Sequence, residues 1–396
     1  MKSILMKNDF FFQLNNQLLF GIGKSTEIIG LLNSNDWHKV AVVVDNGVVE
    51  HSKYYGEFKS LFNTTAITFT EIQLRSTEEP SYDYLDQIAE EIRSIPDLDV
   101  IIGIGGGSAL DMTKALASLY TNPGPGINYR GFDNLTEPAL PSICIPTTAG
   151  TGSEVTINAV FTDKNEMKKL GINGRYMNAT YAILDAKWLE SCPKPAAISA
   201  GMDALVHTLE SFMTTNANPL TRAFNREAFV LLWKNLPALE TRPEDMVSRQ
   251  NILLGAYLAA AGLFNSGSGI AGGLSYPLGV HYHVPHGIGG GIFIASVIKF
   301  NVDRGWYDCA ELLDLIEPHP DWSQEQKAKR FSEMLFELSA QLNVPRNLTQ
   351  WEITTENVEE AAQHMLALQG AFDQNPVPFS ADVDALEILQ RHVEQP

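Results

Sequence analysis

Five short runs rich in β-branched residues punctuate the first half of the chain: KVAVVVD (39–45), AITFTEIQL (66–74), DVIIGIG (99–105), PSICIPT (141–147) and YAILD (181–185). Helical patterns lie between them. Runs that are continuous in Val and Ile, rather than alternating, belong to strands covered on both faces, and strands separated by helices pair in parallel. This predicts an open parallel sheet of the Rossmann-like kind. After about residue 190 such runs stop and apolar residues recur at helical spacing.

The chain is therefore expected to divide into an α/β domain over 1–190 and an all-helical domain over 191–396. The boundary falls in WLESCPKPAAISA (188–200), where Pro193 and Pro195 interrupt helix. In the second half, SQEQKAKRFSEMLFELSAQLNVP is the clearest helix: Ser323 and Gln326 have capping-box spacing, and Phe331, Met334, Leu335, Leu338 and Leu342 share a face that Pro345 closes. Thr355 and Ser380 are expected to cap two further helices. Two domains of this kind leave a cleft, where ligand sites concentrate.

A formal net charge of −19 makes nucleic acid and anionic membrane poor partners. Three dispersed cysteines, Cys144, Cys192 and Cys309, offer neither a disulfide framework nor a thiolate zinc site. With no export signal or membrane-length apolar run in the sequence, the expected location is the cytoplasm.

The strand ending in IIGIGGG (101–107) delivers Gly105, Gly106 and Gly107 to the start of a helix, with Ser108 expected as its N-cap. Glycines admit a pyrophosphate close to the backbone, and a helix N-terminus offers it free N–H groups. A second loop, PTTAGTGSEVT (146–156), again follows a strand and is placed to wrap the same ligand. A tight turn without ligand is the alternative. Asp45, at the end of the first strong strand, is placed to accept from an adenosine ribose and to repel a 2′-phosphate, favouring NAD over NADP. Its alternative role is a turn or helix cap.

GMDALVHTLESF sets Asp203 and His207 one helical turn apart, on one face. Farther on, YPLGVHYHVPHG carries His281, His283 and His286. With FGIGK, GGGSALDMTK, PTTAGTGSE and KKLGI, in this order, these segments resemble the iron-containing, or group III, alcohol dehydrogenase family over nearly the whole chain.

That resemblance implies a dehydroquinate synthase-like architecture, an NAD(P)-linked alcohol or aldehyde oxidoreductase and one divalent metal, zinc or iron. It places Gly105, Gly106, Gly107 and Ser108 in the pyrophosphate loop, and Thr147, Thr148, Thr151 and Ser153 in the second nucleotide loop. Asp45, Asp111 and Lys169 fall at further cofactor positions, and Asp203, His207 and His286 at metal ligands. A homodimer or larger assembly is also implied.

The chain departs from the family where histidines are usual, fourteen and ten residues before His286; here stand Gly272 and Tyr276. A three-ligand metal site, compensation by His281 or His283, and loss of the metal all stay open. His281 and His283 are the candidates for proton relay, against the plainer reading of cleft-lining side chains. Gly272 suggests extra volume for a bulkier or hydroxylated substrate. Within the family, resemblance extends to the type that oxidises the terminal C8 alcohol of 3-deoxy-manno-octulosonate, in lipopolysaccharide sugar-acid metabolism, and to reductases of small anionic aldehydes such as phosphonoacetaldehyde. Arg130, Lys168 and Arg175 are the basic residues expected near such an anion. A dehydroquinate synthase-like lyase and a nucleotide-binding protein without catalysis are the competing readings.

Overall fold

The computed structural model describes residues 9–75, 79–166 and 168–394. The first eight residues, part of the stretch read for an export signal, lie outside them. The described residues form nine strands: β1 (Gln17–Phe20), β2 (Lys39–Asp45), β3 (Thr68–Leu74), β4 (Val100–Gly105), β5 (Gly131–Phe132), β6 (Ser142–Pro146), β7 (Asn158–Asp163), β8 (Lys168–Asn173) and β9 (Tyr181–Leu184). Six of them make one sheet in the order β1-β9-β6-β4-β2-β3, and every pairing in it is parallel.

The five strands read from the sequence are all in this sheet. β4, β6 and β9 are buried at every residue, as expected of parallel strands covered on both faces. The short edge strand β1 and the small second sheet, β5-β8-β7, were not anticipated. β7 and β8 form an antiparallel pair whose sequence, NAVFTD and KKLGIN, has too few β-branched residues in a row to stand out.

No strand follows β9 among the described residues. Long helices take over, among them Lys194–Met213, Pro219–Thr241, Met246–Ser266, Ile270–Tyr282, His286–Asp303 and Gln324–Gln341. The Ser323–Gln326 capping box is present, and a second one joins Asn218 and Thr221. Two expected caps fail. The helix after Thr355 starts only at Val358, with Asn357 as N-cap, because the Asn357 side chain accepts from Thr354 N at 2.8 Å and holds the backbone in a turn. The last helix starts at Asp384, whose carboxylate accepts from Ser380 N at 2.8 Å, while the Ser380 hydroxyl bonds to Asp382.

Two compact units interleave along the chain. One comprises Leu14–Ala197 and Glu244–Tyr257 and holds both sheets; the other comprises the described residues up to Gln13 with Ile198–Pro243 and the chain from Leu258 onward. A single cut after residue 190 misses this, because half of the Met246–Ser266 helix packs with the sheet: Gln250 donates to Leu184 O at 2.9 Å and accepts from Ala186 N at 2.8 Å. No single described helix is long and apolar enough to cross a membrane.

Candidate active site

Strand order reverses direction at β2, which has β3 on one side and β4 on the other. In open α/β sheets ligands gather at such a switch, beyond the carboxyl ends of the strands. Here those ends are Asp45 and Gly105. They touch closely: a Cβ on Gly105 would lie 3.0 Å from Asp45 Cβ and 2.5 Å from Ala109 Cβ. Asp45 also caps the short Asn46–His51 helix, accepting from Gly47 N at 2.8 Å through one carboxylate oxygen.

The helix beyond β4 runs over Gly107–Thr121 with Gly106 as N-cap and no side-chain cap. Ser108 therefore sits exposed inside the first turn, not at the cap. The reason is that Gly106 is already extended while the Ala109 and Leu110 amides bond back to its carbonyl. The helix's free N–H groups remain available for an anion.

The second loop does pack over the first. Thr147 N donates to Gly105 O at 2.9 Å, and a Cβ on Gly106 would come 3.3 Å from Thr148 Oγ1. A Cβ on Gly107 would come 2.6 Å from Thr151 Oγ1. Beneath, Ser153 Oγ donates to Asp111 at 2.5 Å, and Asp111 also accepts from Val160 N at 2.9 Å. Lys114, not singled out from the sequence, is fully buried one turn after Asp111. Its ammonium donates to Ser153 O at 2.8 Å, to Thr156 O and Oγ1 at 3.2 Å, and to Asn158 O. A single lysine among the mostly small and apolar residues after Asp111 was its only signal. Next to it, burial pushes the Glu154 carboxyl up to about 7. Asp111 and Ser153 thus brace the two loops. Lys169 lies on β8 in the smaller sheet and pairs with Glu79 at 2.6 Å.

In the helical unit, Asp203 and His207 lie in the middle of Lys194–Met213, and His286 is the first residue of His286–Asp303. Asp203 Oδ1 lies 3.5 Å from His207 Nε2 and 3.9 Å from His286 Nε2, and one ligand atom from each residue falls within 4.8 Å of the others. What brings His286 in is a glycine face. Added Cβ atoms on Gly287, Gly290 and Gly291 would meet Ser199 O at 2.6 Å, Val206 Cγ1 at 3.2 Å and Met202 Cβ at 3.2 Å. Spaced at i, i+3 and i+4, these glycines let one helix lie directly on the other.

One buried carboxylate and two imidazoles make a donor set that suits zinc or ferrous iron, whose bonds of about 2.0–2.2 Å span the 3.5 and 3.9 Å gaps from Asp203 to the two imidazoles. The residues fit a divalent metal.

His281 and His283 do not join this trio. The His281 ring stacks on His364 with centroids 3.7 Å apart, and burial with His364 lowers its pKa. His283 is an exposed, left-handed C-cap of Ile270–Tyr282 at φ 57°. Nor does Gly272 open a void. A Cβ there would meet the Glu210 carboxylate at 3.1 Å, so that space is taken. The Tyr276 and His286 rings stand perpendicular, centroids 6.2 Å apart. The basic residues expected to meet an anion are engaged by acids: Arg130 with Asp163 and Glu166, Lys168 with Glu166, and Arg175 with Asp133.

Known proteins resemble the chain along most of its length. A protein described as sulfoacetaldehyde reductase from Bilophila wadsworthia is 29% identical over 96% of this chain and 97% of its own. An NAD-dependent methanol dehydrogenase from Bacillus methanolicus is 30% identical over 67% of this chain and 70% of its own. The solved structure of sulfoacetaldehyde reductase from Bifidobacterium kashiwanohense in complex with NAD+ shares the fold with a TM-score of 0.87, at 22% identity, covering 98% of this chain and 100% of that one. Residues 15–186 match the family model for iron-containing alcohol dehydrogenase and residues 197–393 the C-terminal model of the Fe-containing alcohol dehydrogenase family. The chain belongs to the iron-containing alcohol dehydrogenase family.

Proposed function

We propose that the protein interconverts a primary alcohol and its aldehyde by hydride exchange with NAD(H), at one divalent metal, zinc or iron, held by Asp203, His207 and His286. The convergence of those three side chains carries the reading. Bound there, the metal supplies Lewis-acid polarisation of the substrate oxygen. Gly105, Gly106, Gly107 and Ser108 receive the pyrophosphate at the open helix N-terminus, with Thr147, Thr148 and Thr151 on its other side. Asp45 accepts from the ribose hydroxyls and disfavours a 2′-phosphate. His281 and His283, a few residues before His286, are proposed to exchange the proton with solvent.

For the substrate, similarity to sulfoacetaldehyde reductases supports an aldehyde with an anionic tail. The octulosonate C8 alcohol is the second substrate to assay.

Elemental analysis of the purified protein, joined to NADH-linked assays of sulfonate and phosphonate aldehydes, octulosonate and short alcohols, tests the whole reading. Near-stoichiometric zinc or iron and net nicotinamide turnover are expected. Asp203→Ala and His207→Ala should each lose metal and lower kcat/KM by ~100-fold or more, beyond what loss of an outer-shell partner does. Turnover without net change in nicotinamide would point instead to a lyase.

A further inference from the structure

Glu210 follows His207 by three residues on the Lys194–Met213 helix, one turn beyond the metal pair. It is 1% exposed, and the donor cluster of Asp203, His207 and His286 does not include it. It accepts from Gly269 N and from Gly272 N, each at 2.9 Å. Gly269 is the N-cap of Ile270–Tyr282, and that helix has no side-chain cap of its own. One carboxylate from a neighbouring helix thus satisfies the N-cap and N3 amides together, the two donors that a capping box would otherwise satisfy. The positive end of the helix dipole adds to the attraction.

The consequence reaches His286. Ile270–Tyr282 and His286–Asp303 are separated only by His283, Val284 and Pro285, and a Cβ on Gly289 would come 2.8 Å from Ser275 Cβ, so the two helices lie flush. The Tyr276 ring packs perpendicular to that of His286. Holding the start of Ile270–Tyr282 against the ligand helix therefore sets where this helical hairpin, and His286 with it, stands relative to Asp203 and His207.

We propose that Glu210 is a positioning residue of the metal centre, pinning the helix of Gly272 and Tyr276 to the helix of Asp203 and His207 and thereby fixing His286. No side chain from residue 272 links these helices, and the carboxylate at the Gly272 amide does so instead. The proposal rests on the metal reading above.

The test is Co2+ binding to the full-length protein, by chelator competition and by the visible spectrum of the bound ion, for wild type, Glu210→Gln, Gly272→Ala and Asp203→Ala. The amide of Glu210→Gln keeps the size of the carboxyl but has one acceptor oxygen in place of two. It should weaken Co2+ binding by about 10–100-fold, as loss of an outer-shell partner does, and shift the d–d bands. Gly272→Ala, whose Cβ would press on the carboxylate at 3.1 Å, should move both readouts in the same direction by less.

Wild-type affinity and spectrum in Glu210→Gln overturn the proposal, even if that variant melts earlier, since a purely structural role would leave the bound ion unchanged. Should Glu210→Gln not fold, wild-type values in Gly272→Ala overturn it. Binding lost in Asp203→Ala but intact in the other two sinks only the role of Glu210. Absence of Co2+ binding by the wild type sinks both readings.

Discussion

Gly107 has no room for a side chain, since the second loop places Thr151 Oγ1 2.6 Å from where its Cβ would be. Gly107→Ala should therefore force the two loops apart, costing about 1–3 kcal/mol as overpacking does. NADH binding, followed by fluorescence titration, should weaken in step; unchanged affinity would remove this loop from the nucleotide site. Of the residues themselves, the glycine run and Asp203 with His207 were legible, because close backbone approach and i,i+4 stacking are properties of a few neighbouring positions. Glu210 and Lys114 were not. Each acts on backbone groups that another segment brings to it, and nothing beside them in the sequence names those groups.

Among the elements, caps show the same limit. Ser323 and Gln326 satisfy each other within one helical turn, so their spacing marked the start of the Gln324–Gln341 helix that its apolar face had indicated. Ser323→Ala should cost about 1 kcal/mol, seen as a lower urea midpoint with an unchanged slope. The Thr355 and Ser380 caps were misread because Asn357 and Asp384, further along, compete for the same turns. β2, β4, β6 and β9 were legible because burial on both faces demands continuous apolar runs, and the partly exposed edge strand β3 through its β-branched residues, whereas β1 and β8 are short mixed sequences recruited by a neighbour.

At the scale of the molecule, the carboxyl-terminal helix is docked by a buried histidine. His392 Nδ1 meets Arg346 O at 2.8 Å and Nε2 meets Ser296 Oγ at 2.9 Å, with the Phe293 ring edge-on. Burial lowers its pKa against the opposing effect of the Arg346 carbonyl. Below the ordinary histidine value of about 6.5 the unfolded chain takes up the proton first, so stability is lost as pH falls through that value toward the lower folded one. Melting temperatures of the wild type should drop more steeply between pH 7 and 5 than those of His392→Gln. Equal slopes would show that His392 does not contribute.

The sequence by itself determined the parallel sheet, the glycine turn after β4, the helical second half and the Asp203–His207 pair. Each is written in a local period: continuous β-branched runs, a strand-to-helix glycine cluster, residues one helical turn apart. The family resemblance already set His286 beside that pair, and only the tertiary structure decided how it reaches the pair and that neither His281 nor His283 joins it. The tertiary structure also decided that Glu210 fills the space beside Gly272, and that Asp111 and Ser153 brace the loops above the buried Lys114. The reason is that these outcomes depend on which helix faces pack. Glycines 287, 290 and 291 acquire their meaning only once Ser199, Met202 and Val206 lie against them.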